Sequence, residues 1–300
     1  MHLIHFQTAT GNFGDDLNFW LWDHLLPGWR DWSHEWGLVG VGTILKRGFL
    51  SEGRKLVLGA GCGYGTPPDI TETPEHWDIR AVRGPRTARA LRLPPRAAIS
   101  DPAVMLPSLP AFADPAHSGE TLFVPHHLSL RDHDWALICA RAGVGFQSPT
   151  DDAATVIRRL SGARHVIAES LHAAIIADAF RVPWTAVSVT AGFNAFKWAD
   201  WAESLHLPAP VARPFFAPLR RALTLWRAAG VARPTPSPYP DHRKRRRHPS
   251  ARYMLAAWAV ADLRRAARGP FTLSDTKHLH AAQTRFRAML DTVQRDYGGA

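Results

Sequence analysis

Short apolar, β-branched runs alternate along this chain with longer stretches of helical character. The run at 3–6 reads as a strand, followed by a Gly/Asn/Asp loop and a helix over 16–26. Residues 55–58 form a second strand that ends in Gly59-Ala60-Gly61-Cys62-Gly63-Tyr64-Gly65. A strand over 78–83 and a helix over 85–91 follow, and the piece 99–106 closes the first half. Beyond a Pro/Ala/Ser-rich stretch at 107–119, strands are predicted at 121–125, 144–146, 165–168 and 184–189, with helices over 135–142 and 151–161. Strands and helices alternating at this spacing imply βαβ units and parallel sheets. The expected fold class is α/β: two Rossmann-like domains, 1–113 and 118–206, facing a cleft. From 207 the pattern changes to a polyproline-like segment at 234–240 and then two helices, 250–268 and 274–297. The second is expected to be capped by Ser274 or Asp275, and 207–300 reads as a C-terminal helical extension.

The most informative unit is the strand 165–168 with the Ala/Ile-rich helix behind it. Ser170 is placed as its N-cap and His172 falls in its first turn. Unpaired N–H groups and the helix dipole favour an anion there, and open α/β sheets seat ligands at the carboxyl ends of their strands. A phosphate-bearing substrate is the expectation; a histidine that only packs locally is the alternative.

Composition narrows the classes. No apolar run reaches the roughly 18 residues of a membrane span. The start of the chain lacks the basic and apolar regions of a signal peptide, and two cysteines are too few for a disulfide framework, so a reducing cytoplasm is expected. Neither Cys-x-x-Cys nor His-Glu-x-x-His occurs, so no metal site and no cofactor are predicted. The net charge is +10, and its densest block is Arg243-Lys244-Arg245-Arg246-Arg247-His248. Such a block suits a solvated segment or peripheral contact with an anionic membrane, at about 1 kcal/mol per basic residue. A nucleic-acid partner ranks low, because no reading module accompanies the charge.

Three further constellations could carry chemistry. In 11–18, Asn12, Asp15, Asp16 and Asn18 surround two glycines, so carboxylates and amides can orient sugar hydroxyls or accept their protons. The loop carrying Gly61 and Gly63 fits neither a dinucleotide fingerprint nor a P-loop, but its backbone N–H groups could face a ligand. Arg83, at a strand end before Gly84-Pro85, suits either a bidentate clamp on carboxylate or phosphate or a structural ion pair. Trp20, Trp22, Trp29, Trp32, Trp36, Trp198 and Trp201 could stack on sugars, though most buried tryptophans are simply core.

As an ordered set these segments resemble the polysaccharide pyruvyl transferase family. The matching pieces are 11–18, 56–65, Ala81-Val82-Arg83-Gly84-Pro85, 101–106, Ser170-Leu171-His172, Val182-Pro183-Trp184 and Phe196-Lys197-Trp198, spread over 3–206. The resemblance is nearest to members of exopolysaccharide assembly of succinoglycan or xanthan type. It implies a GT-B-like pair of domains and transfer of the pyruvyl group of phosphoenolpyruvate onto two sugar hydroxyls, leaving a cyclic ketal and phosphate. A lipid-linked acceptor on the cytoplasmic face of the membrane follows from it. It carries donor contact to His172 and Arg83, and His172 would serve as the acid, with Asp15 or Asp16 as base. Many relatives have arginine where this chain has Ser170, and Lys197 is the candidate replacement cation. The rival on the same architecture is a glycosyltransferase using a nucleotide sugar.

Overall fold

The structure is a computed structural model that describes residues 1–50, 53–190, 193–217 and 249–299. The basic block 243–248 and the proline-rich stretch 234–240 lie outside the described residues.

Two parallel sheets form the frame. The first runs β1 (His2–Ile4), β2 (Trp36–Val39), β3 (Arg54–Leu58), β4 (Trp77–Ala81), in that spatial order. The second has β5 (Thr121–Val124), β6 (Gly145–Phe146), β7 (His165–Ala168), β8 (Trp184–Ser188) and β9 (Arg213–Pro214), ordered β6-β5-β7-β8-β9. β5 and β8 are buried along their whole length, as parallel strands covered on both faces must be. The order of the second sheet reverses direction between β5 and β7. That is a topological switch point, where the loops leaving the two strands diverge and open a crevice at their carboxyl ends.

The expected helix at 16–26 is broken into α1 (Phe13–Asp16), a 3₁₀ turn Leu17–Phe19 and α2 (Leu21–Leu25). It also begins earlier, because Asn12 already holds the extended backbone of an N-cap. The break coincides with a tertiary contact: the Asn18 amide bonds to the backbone of Val41, 23 positions away. The remaining helices are α3 (Pro85–Ala90), α4 (Trp135–Ala142), α5 (Ala153–Ser161), α6 (Leu171–Ala179), α7 (Ala195–Ser204), α8 (Pro249–Ala266) and α9 (Thr276–Gly298). Residues 102–108 form a 3₁₀ helix that packs on α6. β2 has no counterpart in the sequence expectation; its short Trp-Gly-Leu-Val run carries no alternation to mark it.

The two halves share one continuous apolar core, in which Phe13, Leu17 and Trp22 of the first join Leu122, Ala174 and Trp198 of the second. α9 straps them together. At its start Asp275 caps Lys277 N–H, and the preceding Ser274 N–H donates to Asp178 Oδ2 at 2.9 Å in the second half. At its far end Tyr297 Oη donates to Asp78 Oδ2 at 2.7 Å and Arg80 meets Asp296 at 2.6 Å on β4. No described helix is long and apolar enough to cross a membrane.

Candidate active site

α6 is mostly apolar, and every residue in it, Asp178 included, is buried but one. That exception is His172, with 14% of its side chain exposed. Ser170 occupies the N-cap with extended backbone, yet its hydroxyl makes no capping bond. The His172 imidazole lies between two neighbours from the first half of the chain. On one side Nε2 faces Asp101 Oδ2 at 3.6 Å. On the other, the ring lies over Gly14, where a Cβ would sit 1.9 Å from Nδ1.

Gly14 belongs to α1, whose entry is stitched to the second half by Phe13 N–H donating to Pro149 O at 3.0 Å. Asp15 follows, buried, and accepts from Asn12 Nδ2 at 2.6 Å. Burial pushes its carboxyl above the usual range, opposed by the nearby His172, the Asn12 bond and Lys197. Asp16 turns the other way and accepts the Asn12 backbone N–H at 2.9 Å. Asn18 is fully buried and its amide is spent on the scaffold. It donates to Asp15 O and Val41 O and accepts from Val41 N–H and Trp22 Nε1.

The glycine-rich loop also serves packing first. Gly61 gives its N–H to Gly42 O at 2.9 Å, and a Cβ there would lie 2.3 Å from the Arg83 guanidinium carbon. Arg83, 1% exposed, reaches Asp200 Oδ2 (3.1 Å), Thr43 Oγ1 (2.7 Å) and Cys62 O (2.6 Å). Asp200 sits in α7 and also accepts from Thr87 N (2.8 Å) and Thr87 Oγ1 (2.6 Å), so it caps α3 across the two halves. Of the two sequence expectations for Arg83, the structural ion pair is the one these contacts form.

Lys197 lies one turn earlier on α7, behind the cap that Asn194 makes to its N–H. Asn194 Nδ2 also donates to Gly63 O at 2.5 Å, which draws the glycine loop onto this helix. The lysine is 9% exposed, and its Nζ donates to Tyr64 Oη at 3.3 Å. Among the described residues no carboxylate lies within 4 Å of that ammonium. His126 and His127, at the carboxyl end of β5, are close enough to feel its charge. Burial first, then Lys197, then His127, holds the His126 imidazole down at about 3; burial and Lys197 lower His127 as well. Glu169 fixes this corner by accepting His126 N–H (2.9 Å), Val189 N–H (3.0 Å) and Thr190 N–H (3.2 Å).

His172, Asp15 and Lys197 thus converge from β7–α6, from β1–α1 and from α7, at the switch-point crevice. A family model described as polysaccharide pyruvyl transferase matches residues 11–190, which include all of these except Lys197. The chain belongs to the polysaccharide pyruvyl transferase family. The transferase is also 42% identical to a curated protein of Rhizobium meliloti (strain 1021) named succinoglycan biosynthesis protein ExoV. That alignment of 319 positions covers 99% of this chain and 100% of the relative.

The seven tryptophans singled out in the sequence are packed into the scaffold of the transferase. Trp22, Trp29, Trp198 and Trp201 are at most 1% exposed, Trp32 stacks on Tyr297, Trp36 meets the same ring edge-on, and Trp20 leans on Phe112. Sequence reasoning passed over Gly14, Tyr64, Asp101, His126 and His127 as site residues. For the histidine pair a signal was present, since both follow a predicted strand directly, as His172 nearly does. Asp101 heads one of the matching segments, but its pairing could not be read, because its partner is seventy-one positions away in sequence.

Proposed function

We propose that this transferase moves the pyruvyl group of phosphoenolpyruvate onto two hydroxyls of one sugar, giving a cyclic pyruvate ketal and inorganic phosphate. The observation that carries this reading is Lys197: a lysine only 9% exposed, its ammonium bonded to Tyr64 Oη with no carboxylate within 4 Å among the described residues. An unpaired buried cation is costly, and an anionic substrate relieves that cost. The uncapped first turn of α6 adds N–H donors and a favourable dipole on the facing side. Together they suit phosphate and carboxylate on one small donor, and Lys197 takes the place of the arginine that Ser170 lacks.

His172 acts as the acid. It gives a proton to the methylene carbon of the donor, so a C–H bond forms and the central carbon becomes oxocarbenium-like. One sugar hydroxyl adds there and loses its proton to Asp15, whose raised carboxyl is a better base than an ordinary aspartate. The C–O bond to phosphate then breaks, the phosphate leaving with the proton that Asp15 had taken, the second hydroxyl closes the ketal, and its proton returns to His172. Asn12 holds Asp15 in place. Asp16, Asn18, Gly61 and Arg83 act by shaping the loops that carry these groups, and Gly63 admits α7 to the glycine loop.

The name of the Rhizobium relative supports exopolysaccharide assembly; a lipid-linked repeat unit is the acceptor we infer. A GT-B-like arrangement, a cytoplasmic site and docking of 243–248 on an anionic leaflet belong to the same proposal. Phosphate release should require both phosphoenolpyruvate and a sugar acceptor, and should vanish in His172→Ala. Release of nucleotide from a UDP-sugar, with phosphoenolpyruvate inert, would instead establish the glycosyltransferase.

A further inference from the structure

Asp101 opens the 3₁₀ helix at 102–108 and is 1% exposed. One oxygen, Oδ1, accepts the Ala103 N–H at 3.0 Å and caps that turn. The other, Oδ2, is buried and has no hydrogen-bond partner among the described residues. Leaving a buried carboxylate oxygen without a donor is expensive, and capping accounts for only half of the group. What Oδ2 does face is His172 Nε2, at 3.6 Å.

The surroundings allow this ring little choice. The 3₁₀ helix packs on α6, so both partners ride on elements fixed against each other. The opposite edge of the imidazole lies over Gly14, whose missing side chain leaves room for Nδ1 on the side away from Asp101. Asp15 is a second carboxylate in electrostatic reach of His172, and its Oδ2 is already engaged by Asn12. A separation of 3.6 Å exceeds a formed hydrogen bond. Catalytic bonds are often long before substrate arrives and tighten once it binds.

We propose that Asp101 is a positioning residue for His172. Its second carboxylate oxygen receives the Nε2 proton, fixes the ring and its tautomer, and leaves Nδ1 as the nitrogen that exchanges a proton with substrate. This is the base–orienter logic of nucleophile and acid–base sites in general. The use made of that proton rests on the function proposed above; the tautomer does not.

The test begins with the unmodified full-length protein. In ¹⁵N NMR, the His172 ring, identified by the signals lost in His172→Ala, should carry its proton on Nε2 when neutral. A neutral ring protonated on Nδ1 overturns the proposal without any variant. In Asp101→Asn the Ala103 N–H still needs the amide oxygen, so the –NH₂ group must turn toward His172. The tautomer should invert, and kcat should fall by about 10²- to 10⁴-fold with little change in KM for phosphoenolpyruvate. Loss of kcat with the tautomer unchanged would mean a merely structural role and would also overturn it. An Nε2–H ring that inverts in Asp101→Asn, in a protein that releases no phosphate from phosphoenolpyruvate with any acceptor, would retain the pair and remove the proposed function.

Discussion

The imidazole of His172 occupies the space that a side chain at residue 14 would fill: a Cβ on Gly14 would lie 1.9 Å from Nδ1 and 2.4 Å from Cγ. The two residues stand at the first turns of helices that follow strands in different sheets. Their contact is where the two halves jointly fix the ring proposed as the proton donor. Nothing about the backbone of α1 demands glycine here, since alanine is the better helix former by about 1 kcal/mol. The requirement comes from the ring.

Gly14→Ala should therefore keep its fold and lose its chemistry. The clash involves ring atoms near the root of the side chain, so His172 must move as a whole. A displacement of about 1 Å can cost 10²-fold in rate. Steady-state kinetics beside a thermal melt would check this, and near-normal turnover in the variant would count against His172 as the proton donor.

The Arg83–Asp200 pair should appear in stability and hardly in donor binding. Both side chains are at most 1% exposed, and removing one partner leaves the other charged and buried. Asp200→Ala should lose about 3–5 kcal/mol in urea unfolding. Arg83→Lys should lose stability too, because one ammonium cannot span Asp200, Thr43 and Cys62 as the guanidinium does. A large rise in KM for phosphoenolpyruvate with unchanged stability would mean that Arg83 touches the donor after all.

Lys197→Met should raise KM for phosphoenolpyruvate by roughly 10- to 100-fold, the worth of about one charge-assisted contact at 1.5–3 kcal/mol. Stability should hold or rise, because an unpaired buried charge has been removed from the free protein. Initial rates over a range of donor concentrations, together with a melt without substrate, would separate the two effects.

His126 gives the fold an acid-sensitive corner. Its imidazole is held down to about 3, so the folded chain prefers it neutral while the unfolded chain protonates it near 6.5. Stability from this group is intact above pH 6.5 and is lost progressively as pH falls toward about 3. His126→Gln should flatten the stability profile in that window. Melting temperatures at matched ionic strength would show it; an unchanged acid limb would place the sensitivity elsewhere, with His127 the next group to replace.

Most of the scaffold was legible in the order of residues alone. Strand β7 and helix α4 fall where the sequence predicts them, and β5, β8, α5 and α9 agree to within a few positions, because buried parallel strands and capped amphipathic helices leave local signals. The short β2 escaped because its four residues carry no alternation, and the broken helix at 13–25 because its break depends on Asn18 and Val41 meeting across the fold. The site divides in the same way. His172 and Asp15 could be named because a strand end and a helix start select for their chemistry. Whether Arg83 held a substrate or an aspartate, which residue faced each histidine nitrogen, and whether Lys197 had a partner could not be read. Sequence by itself determines elements through neighbours within a few positions, and it pointed to an α/β transferase and to α6 as the place to expect an anion. Partners brought together from distant segments are chosen only when the core closes, and tertiary structure alone gave His172 its two neighbours, Asp101 and Gly14.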